Sequence, residues 1–408
     1  MAMRREIGLE EGAGARAGVT AGTAQILILA GLAALGTLAT SILLPSLPSL
    51  ARSFAVPTTA VASTISLYLA VFATGQLVVG PLSDRFGRRG LVLGGLVVFI
   101  GGSAICGVAS DLPMLLAGRV VQALGACAAS VLARAIARDL LEGAALGRAL
   151  AFIMVATAAA PGFSPLLGGT LEQVFGWPSA FAVVALVAAV IAVLYGRVFG
   201  ETHDGARLPL DPLHIGGAYL ALLRDRRFIA PGLTVGLIMG GLFAMFAASP
   251  AILIEGLGYA PLTLGMFFAA TVFVVFAAGM LAPRLAARLG LRGAILTGLG
   301  VAACGGVALL VAQAIDRSLP AYLLPVIVFL FGMGIVNPLG TALTLSPFGD
   351  RAGLASALVG FLQMAGAAAG VSVTAALALP VMAALGVVMT SAAFAALVIF
   401  WSGRPAAA

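Results

Sequence analysis

Only one charged side chain stands well inside the long apolar stretches of this sequence, away from their ends. Arg119 falls in the run 113–137, with Gln122 three residues further on and therefore on the same helical face. Arginine keeps its proton under physiological conditions, and burying it in hydrocarbon costs at least about 2.5–3.5 kcal/mol. A guanidinium in that position can hold a hydrogen-bond acceptor or repel a cation. The second concentration of charge is GPLSDRFGRRG, Gly80 through Gly90, which sets Asp84, Arg85, Arg88 and Arg89 into eleven residues between two apolar runs. Its glycines, Gly80 and Gly87 among them, let helix ends approach closely. The charges can then pair with one another, with lipid phosphates or with helix termini. The other titratable groups lie elsewhere. All 15 acidic residues sit in termini, loops or span ends, and His203 and His214 fall in the longest polar break, 199–227. An integral-membrane enzyme would need intramembrane histidines or paired carboxylates, and the apolar runs hold neither. Cys106, Cys127 and Cys304 are odd in number and widely spaced within apolar runs, which argues against disulfides and against a metal site. They are expected to be buried packing residues.

The elements that position these groups follow from composition. Of 408 residues 62% are hydrophobic and 9% charged, with a mean hydropathy of +1.15. A soluble domain carries about 25% charged residues, so this chain belongs in a bilayer. A crossing takes about 20 apolar residues, and about twelve such runs occur, at 24–45, 59–82, 90–109, 113–137, 147–171, 177–198, 228–251, 262–282, 293–314, 320–345, 352–377 and 381–401. The net charge of +7 reads as a topology signal, with no nucleic acid involved. Nineteen arginines fall on one side of such a bundle, Arg52 and Arg317 on the other, and Arg119 within. By the positive-inside rule both termini are cytoplasmic. The polar break separates six spans from six. FIMVATAAA (152–160) and FLQMAGAAA (361–369) align without gaps, and Gly80 and Gly279 both precede Arg-rich turns. This supports an internal repeat with a midplane site between halves. The domains expected are a tail 1–23, a bundle 24–198, a cytoplasmic linker 199–227, a second bundle 228–401 and a tail 402–408.

The Gly80–Gly90 segment resembles the signature between the second and third helices of the major facilitator superfamily of transporters. GRVVQALG (118–125) looks like the fourth-helix motif of its drug-exporting members, with Arg119 and Gln122 at the two polar positions. APGFSPLLGG (160–169) looks like their fifth-helix antiporter motif, in which Pro161 and Pro165 each remove a helical hydrogen bond while Gly168 and Gly169 allow close helix contact. LLPSLPSLARSF (43–54) and ASPAILIEGLGYAP (248–261) resemble helix ends in the bicyclomycin- and chloramphenicol-resistance group of exporters. The resemblance departs at one point: that group places an acid four residues before the proline matching Pro45, where this chain has Ser41.

The resemblance implies an all-α membrane protein of twelve helices in two pseudo-symmetric six-helix bundles, exporting drug-like or toxic compounds by alternating access. It implies a monomer in a bacterial inner membrane, whose partners are a small-molecule substrate and the bilayer. It implies no cofactor beyond a proton gradient. Asp84 is expected to favour one state through the helix-eleven terminus near Asp350 to Leu354, and through Arg88 with Asp139. The expected polar lining is Tyr68, Gln122 and Gln363 near mid-membrane, Arg119 about six residues from the outer end of its span and so roughly 9 Å deep, Ser41 at a comparable depth, and Asn337 in helix ten before Pro338. Met154, Met239, Phe243, Phe246 and Met364 would add adaptable apolar surface.

Overall fold

The computed structural model describes residues 22–202, 212–315 and 318–403, apart from ten side chains that include those of Asp84, His214 and Asp350. His203 and Arg317, on which expectations rest, also lie outside the described residues. Among the described residues eleven helices are long and apolar enough to cross a membrane. The longest, Pro261–Ile315, has 55 residues and is broken by Gly290, whose φ of 73° and ψ of 162° suit glycine and end a helix. At 1.5 Å per residue the whole would reach about 80 Å, far beyond one bilayer. It therefore supplies two spans, and the crossings number twelve: α1 (Thr23–Ser41), α2 (Ser63–Phe86), α3 (Arg88–Gly107), α4 (Leu112–Leu140), α5 (Gly143–Phe175), α6 (Pro178–Val198), α7 (Arg226–Pro250), α8 (261–289), α9 (291–315), α10 (Leu319–Leu345), α11 (Ala352–Ala376) and α12 (Val381–Ser402).

Local chemistry sets several boundaries. The carboxylate of Asp111 accepts from Met114 N at 2.8 Å, and that of Asp225 from Arg227 N at 2.8 Å, capping α4 and α7. Between α1 and α2 the chain turns through two short helices, Leu47–Ser53 and Thr58–Val61. Three expectations need correction. The expected break between spans eight and nine, residues 283–292, shrinks to Gly290. One proline removes a single hydrogen bond, and long arginine side chains can run along a helix surface towards water. Polarity alone did not end α8. Cys304 is exposed on α9, unlike Cys106 and Cys127; an apolar side chain facing lipid needs no burial in protein. The linker is not wholly solvated either. Its helix Pro212–Arg224 docks on the bundle, with Tyr219 Oη donating to Leu77 O at 3.1 Å and Leu222 packing among Phe228, Ala355 and Leu358. Burial there pushes the Tyr219 phenol up to about 12.

Two hydrophobic cores organise the bundle. One joins α1 to α6 around Leu29, Phe72, Phe99, Leu132 and Tyr195. The other fills the second half but also takes in Leu43, Leu44, Leu47, Leu50, Ile65 and Leu69 from the first. These N-terminal residues lie at one face of the bundle, where Thr58 Oγ1 also donates to Glu255 Oε1 at 2.5 Å. The halves are joined at that face. They also meet along two seams, α2 against α11 and α5 against α8.

Candidate functional site

At the centre of the first half, α4 turns Arg119 inward until the side chain is wholly buried. Its Nη1 donates to Ala39 O of α1 at 3.2 Å and to Gln122 Oε1 at 2.5 Å. Gln122 Nε2 donates to Ser103 Oγ of α3 at 2.8 Å, and Ser103 Oγ donates in turn to Phe99 O at 2.8 Å. The guanidinium carbon lies 4.1 Å from the ring centroid of Tyr68 on α2, an attraction that partly offsets its desolvation. Tyr68 is held by donating from its hydroxyl to Gly36 O at 3.2 Å, and Phe72 stacks on it at 6.2 Å. Nε and Nη2 of Arg119 have no partner among the described residues, and no carboxylate there pairs with it. Ser41, 1% exposed, lies two residues beyond the carbonyl that Arg119 grips.

This fixed geometry rests on close helix approach. A Cβ at Gly102 of α3 would collide with the Gln122 backbone of α4, and one at Gly118 of α4 would come within 2.7 Å of Cys106 Sγ of α3. The α5 motif works similarly. A Cβ on Gly168 would collide with the Ile42 carbonyl of α1, and one on Gly169 would lie 2.7 Å from the Pro261 carbonyl. Adjacent glycines therefore press α5 against both halves at once, while Pro161 and Pro165 lie inside the helix two turns or less away.

The second half brings together Gln363 of α11 with Asn337 and Thr341 of α10. Gln363 Nε2 donates to Asn337 Oδ1 at 3.4 Å and to Thr341 Oγ1 at 3.2 Å. All are uncharged and partly open. Met364, beside Gln363, packs against both hydrophobic cores. Met239, Phe243 and Phe246 of α7 sit in the closed core, in an edge-to-face row where Phe246 meets Phe243 at 5.6 Å and Phe268 at 5.1 Å. Met154 lies apart from both cores and is 61% exposed. Ser103 and Thr341, absent from the expected lining, complete the two polar groups. Neither stands out in an Ala- and Gly-rich stretch, because a lone hydroxyl marks no face of a helix.

At the far end of α2 the charged turn forms a compact network. Arg88 Nε meets Asp139 Oδ2 of α4 at 3.1 Å, and its Nη1 donates to Ser83 Oγ. Glu201, just beyond α6, accepts from Arg88 N at 2.7 Å and Arg89 N at 3.3 Å, placing a carboxylate on the positive N-terminus of α3. Arg89 Nη2 donates to Gly196 O at 3.0 Å. Gly87 has φ 89°, and a Cβ there would collide with Glu201. Arg85 lies beside the Phe86 ring, 5.5 Å from its centroid. Glu201 escaped the sequence reading because it stands in a loop that looked merely solvated. At the joined face, a cavity of about 620 Å³ runs between Arg52 and Glu255. Among the described residues no cluster of His, Cys, Asp and Glu could hold a metal.

Known proteins share this plan. The pattern of the Major Facilitator Superfamily matches residues 29–371. An uncharacterized transporter of this type, YdgK of Bacillus subtilis, is 30% identical over 83% of this chain and 85% of its own. Multidrug resistance protein D of Escherichia coli is 28% identical over 90% of this chain and 92% of its own. Among solved structures, the human organic anion transporter MFSD10 superposes with a TM-score of 0.69 at 19% identity, over 93% of this chain and 99% of that one. A peptide transporter solved with sulfate gives 0.75 at 13% identity, over 94% and 95%. The family pattern over residues 29–371 and a relative 30% identical over most of both chains show that this helical membrane protein is a transporter, and the chain belongs to the major facilitator superfamily.

Proposed function

We propose that this transporter exports small amphipathic, drug-like or toxic compounds across a bacterial inner membrane. It does so by rocking its two six-helix domains, 24–198 and 228–401, about a midplane site, and it exchanges substrate for protons. The observation that carries the reading is likeness to a multidrug resistance protein over nine-tenths of both chains, with Arg119 and Gln122 buried together in the core of the first half. Growth of an efflux-deficient host expressing the chain, challenged with a panel of toxic compounds, tests it. Protection against none of them would remove the export role.

A second reading, a facilitator or exchanger of a neutral or anionic metabolite, is favoured by one feature. Arg119 has no carboxylate partner among the described residues, and Ser41 stands where related exporters place an acid. A proton-driven antiporter normally needs a group that gives up and regains its proton, so a proton gradient imposed on vesicles separates the two readings. Under either, a cation would meet repulsion at low effective dielectric, whereas an uncharged or acidic ligand can accept from the guanidinium. The preferred substrates are therefore neutral or acidic. Ser41→Asp should pair with Arg119 and shift preference towards cations. Robust export of ethidium-like cations with no export of phenicol-like neutral compounds would defeat the charge argument.

The arginine asymmetry places both termini and the 199–227 segment in the cytoplasm. Engineered cysteines near Arg52 and Arg317 should react with an impermeant reagent from the periplasm, and one near His203 should not. Asp84→Asn is expected to slow transport at unchanged membrane abundance, because its charge at the α2–α3 turn would bias the balance of states.

A further inference from the structure

One buried polar side chain on the seam between the halves remains outside both polar groups. Gln76 of α2 is 4% exposed, and its amide makes no hydrogen bond among the described residues. A primary amide offers two donors and an acceptor with two lone pairs, so its position between two helices is incomplete. Its amide packs on α11 at Gly360 with the oxygen nearest, where a Cβ would collide with Oε1 and come within 3.0 Å of Cδ and 3.3 Å of Nε2. Gly360 stands three and four residues before Gln363 and Met364, on the same helical face. On α2, Gln76 follows Phe72 and Tyr68 at intervals of four. One stripe thus leads from the ring covering Arg119 to the amide facing α11, about 12 Å along the helix. Between Tyr68 and Gln76 that stripe carries no carboxylate and no cation.

We infer that Gln76 is a specificity-determining residue of the substrate cleft, with Gly360 as the gap that leaves its amide free. The group it takes is an uncharged one that both donates and accepts, such as a secondary amide or a hydroxyl beside a carbonyl. The neutral cluster of Gln363, Asn337 and Thr341 further along the same face suits the same chemistry. The inference rests on the reading of this midplane as the substrate site, but not on the direction of transport or on proton coupling.

The test is binding to the full-length purified protein, which stays separate from any transport assay. Chloramphenicol is the uncharged amide probe and tetraphenylphosphonium the cation without hydrogen-bonding groups. Loss of one satisfied amide pairing is expected to weaken chloramphenicol binding about tenfold in Gln76→Leu, while Gln76→Asn recovers part of it. Gly360→Ala, which leaves the glutamine in place but pushes its amide aside, should reproduce the defect at an unchanged melting temperature. Tetraphenylphosphonium affinity, weak beside the Arg119 charge, should not change in any variant. Equal chloramphenicol affinity in wild type and Gln76→Leu, equal loss for both probes, or no chloramphenicol binding by the wild type would each overturn the inference. A chain that binds as described but protects no host would instead count against export alone.

Discussion

In the first half of the molecule, the buried polar side chains Arg119, Gln122 and Ser103 are at most 1% exposed and joined in one line from α1 through α4 to α3. In the second half, Gln363, Asn337 and Thr341 are only partly buried, carry no charge, and meet at 3.2 and 3.4 Å. The first arrangement is held by a charged donor and by glycines that bring backbones together. It cannot yield without stranding a guanidinium in a low dielectric. The second is held by neutral bonds near the long end of the useful range, which change partners at small cost. The pair therefore divides rigidity from adaptability. On the proposed function, a fixed charge in one half would set the sign of what can enter, and loose amides and hydroxyls in the other would adjust to its shape.

The largest effect should come from the rigid half. Arg119→Ala is expected to reduce transport to background at matched membrane abundance, measured as uptake into inverted vesicles. Arg119→Lys should restore little, because an ammonium cannot spread over the Tyr68 ring and reach Ala39 O and Gln122 together. Full activity in the lysine variant would mean that charge alone matters and the line of bonds does not.

Next comes the packing on which that line depends. Gly168→Ala drives a methyl against the Ile42 carbonyl of α1, a backbone atom that cannot rotate away. Overpacking of this kind typically costs about 1–3 kcal/mol, which should appear as a lower melting temperature and lower yield of purified protein. Gly147→Ala, on the same helix with nothing within 4 Å, is the control and should change neither. Equal behaviour of the two variants would show that α5 relaxes freely, and the first half would then be less rigid than described here.

The sequence made some of this plain and hid the rest for physical reasons. Spans were legible because a crossing needs a fixed length of apolar residues, and α11 and α12 ended within a residue of where hydropathy placed them. Arg119 with Gln122 was legible because a charge inside such a run is costly, and Arg88 with Asp139 because Gly87 and its neighbours marked a tight charged turn. Ser103, Gln76 and Thr341 were not. Lipid and protein interior are equally apolar, so a membrane helix carries little periodic signal about which face meets its neighbours. A partner on another helix is invisible to spacing along one. The docked helix 212–224 was missed because its few apolar positions sit in a polar stretch, and Gly290 because one residue sufficed where a loop was expected.

A smaller effect is expected at the charged turn, which lies outside both polar groups. Glu201→Gln keeps the shape of the side chain that accepts from Arg88 N and Arg89 N, but removes its charge from the start of α3. Interactions of a charge with a helix terminus are worth typically about 0.3–1 kcal/mol. Transport should therefore slow by a few-fold, with substrate affinity unchanged, because no substrate contact is lost. Asp139→Asn should act in the same direction through Arg88. A change in affinity without a change in maximal rate would place this turn in the substrate path and not beside it.

The smallest effect should fall in the adaptable half. Gln363→Ala removes two neutral hydrogen bonds, to Asn337 and Thr341, and leaves both partners able to turn towards each other or towards water. Net contributions of such bonds are about 0.5–1.5 kcal/mol each when geometry is good, and these are long. A shift of a few-fold in KM for an uncharged substrate is expected, with the maximal rate and melting temperature close to the parent's. Gln363→Glu asks more of the comparison, because it puts a carboxylate into the half that has none at this depth. If the second half tolerates rearrangement, the glutamate should be accommodated, and cations should gain relative to neutral compounds, as in Ser41→Asp but more weakly because Arg119 does not face it directly. Should Gln363→Ala instead abolish transport as completely as Arg119→Ala, the contrast between a rigid and an adaptable half would fail, and both polar groups would have to be read as one site.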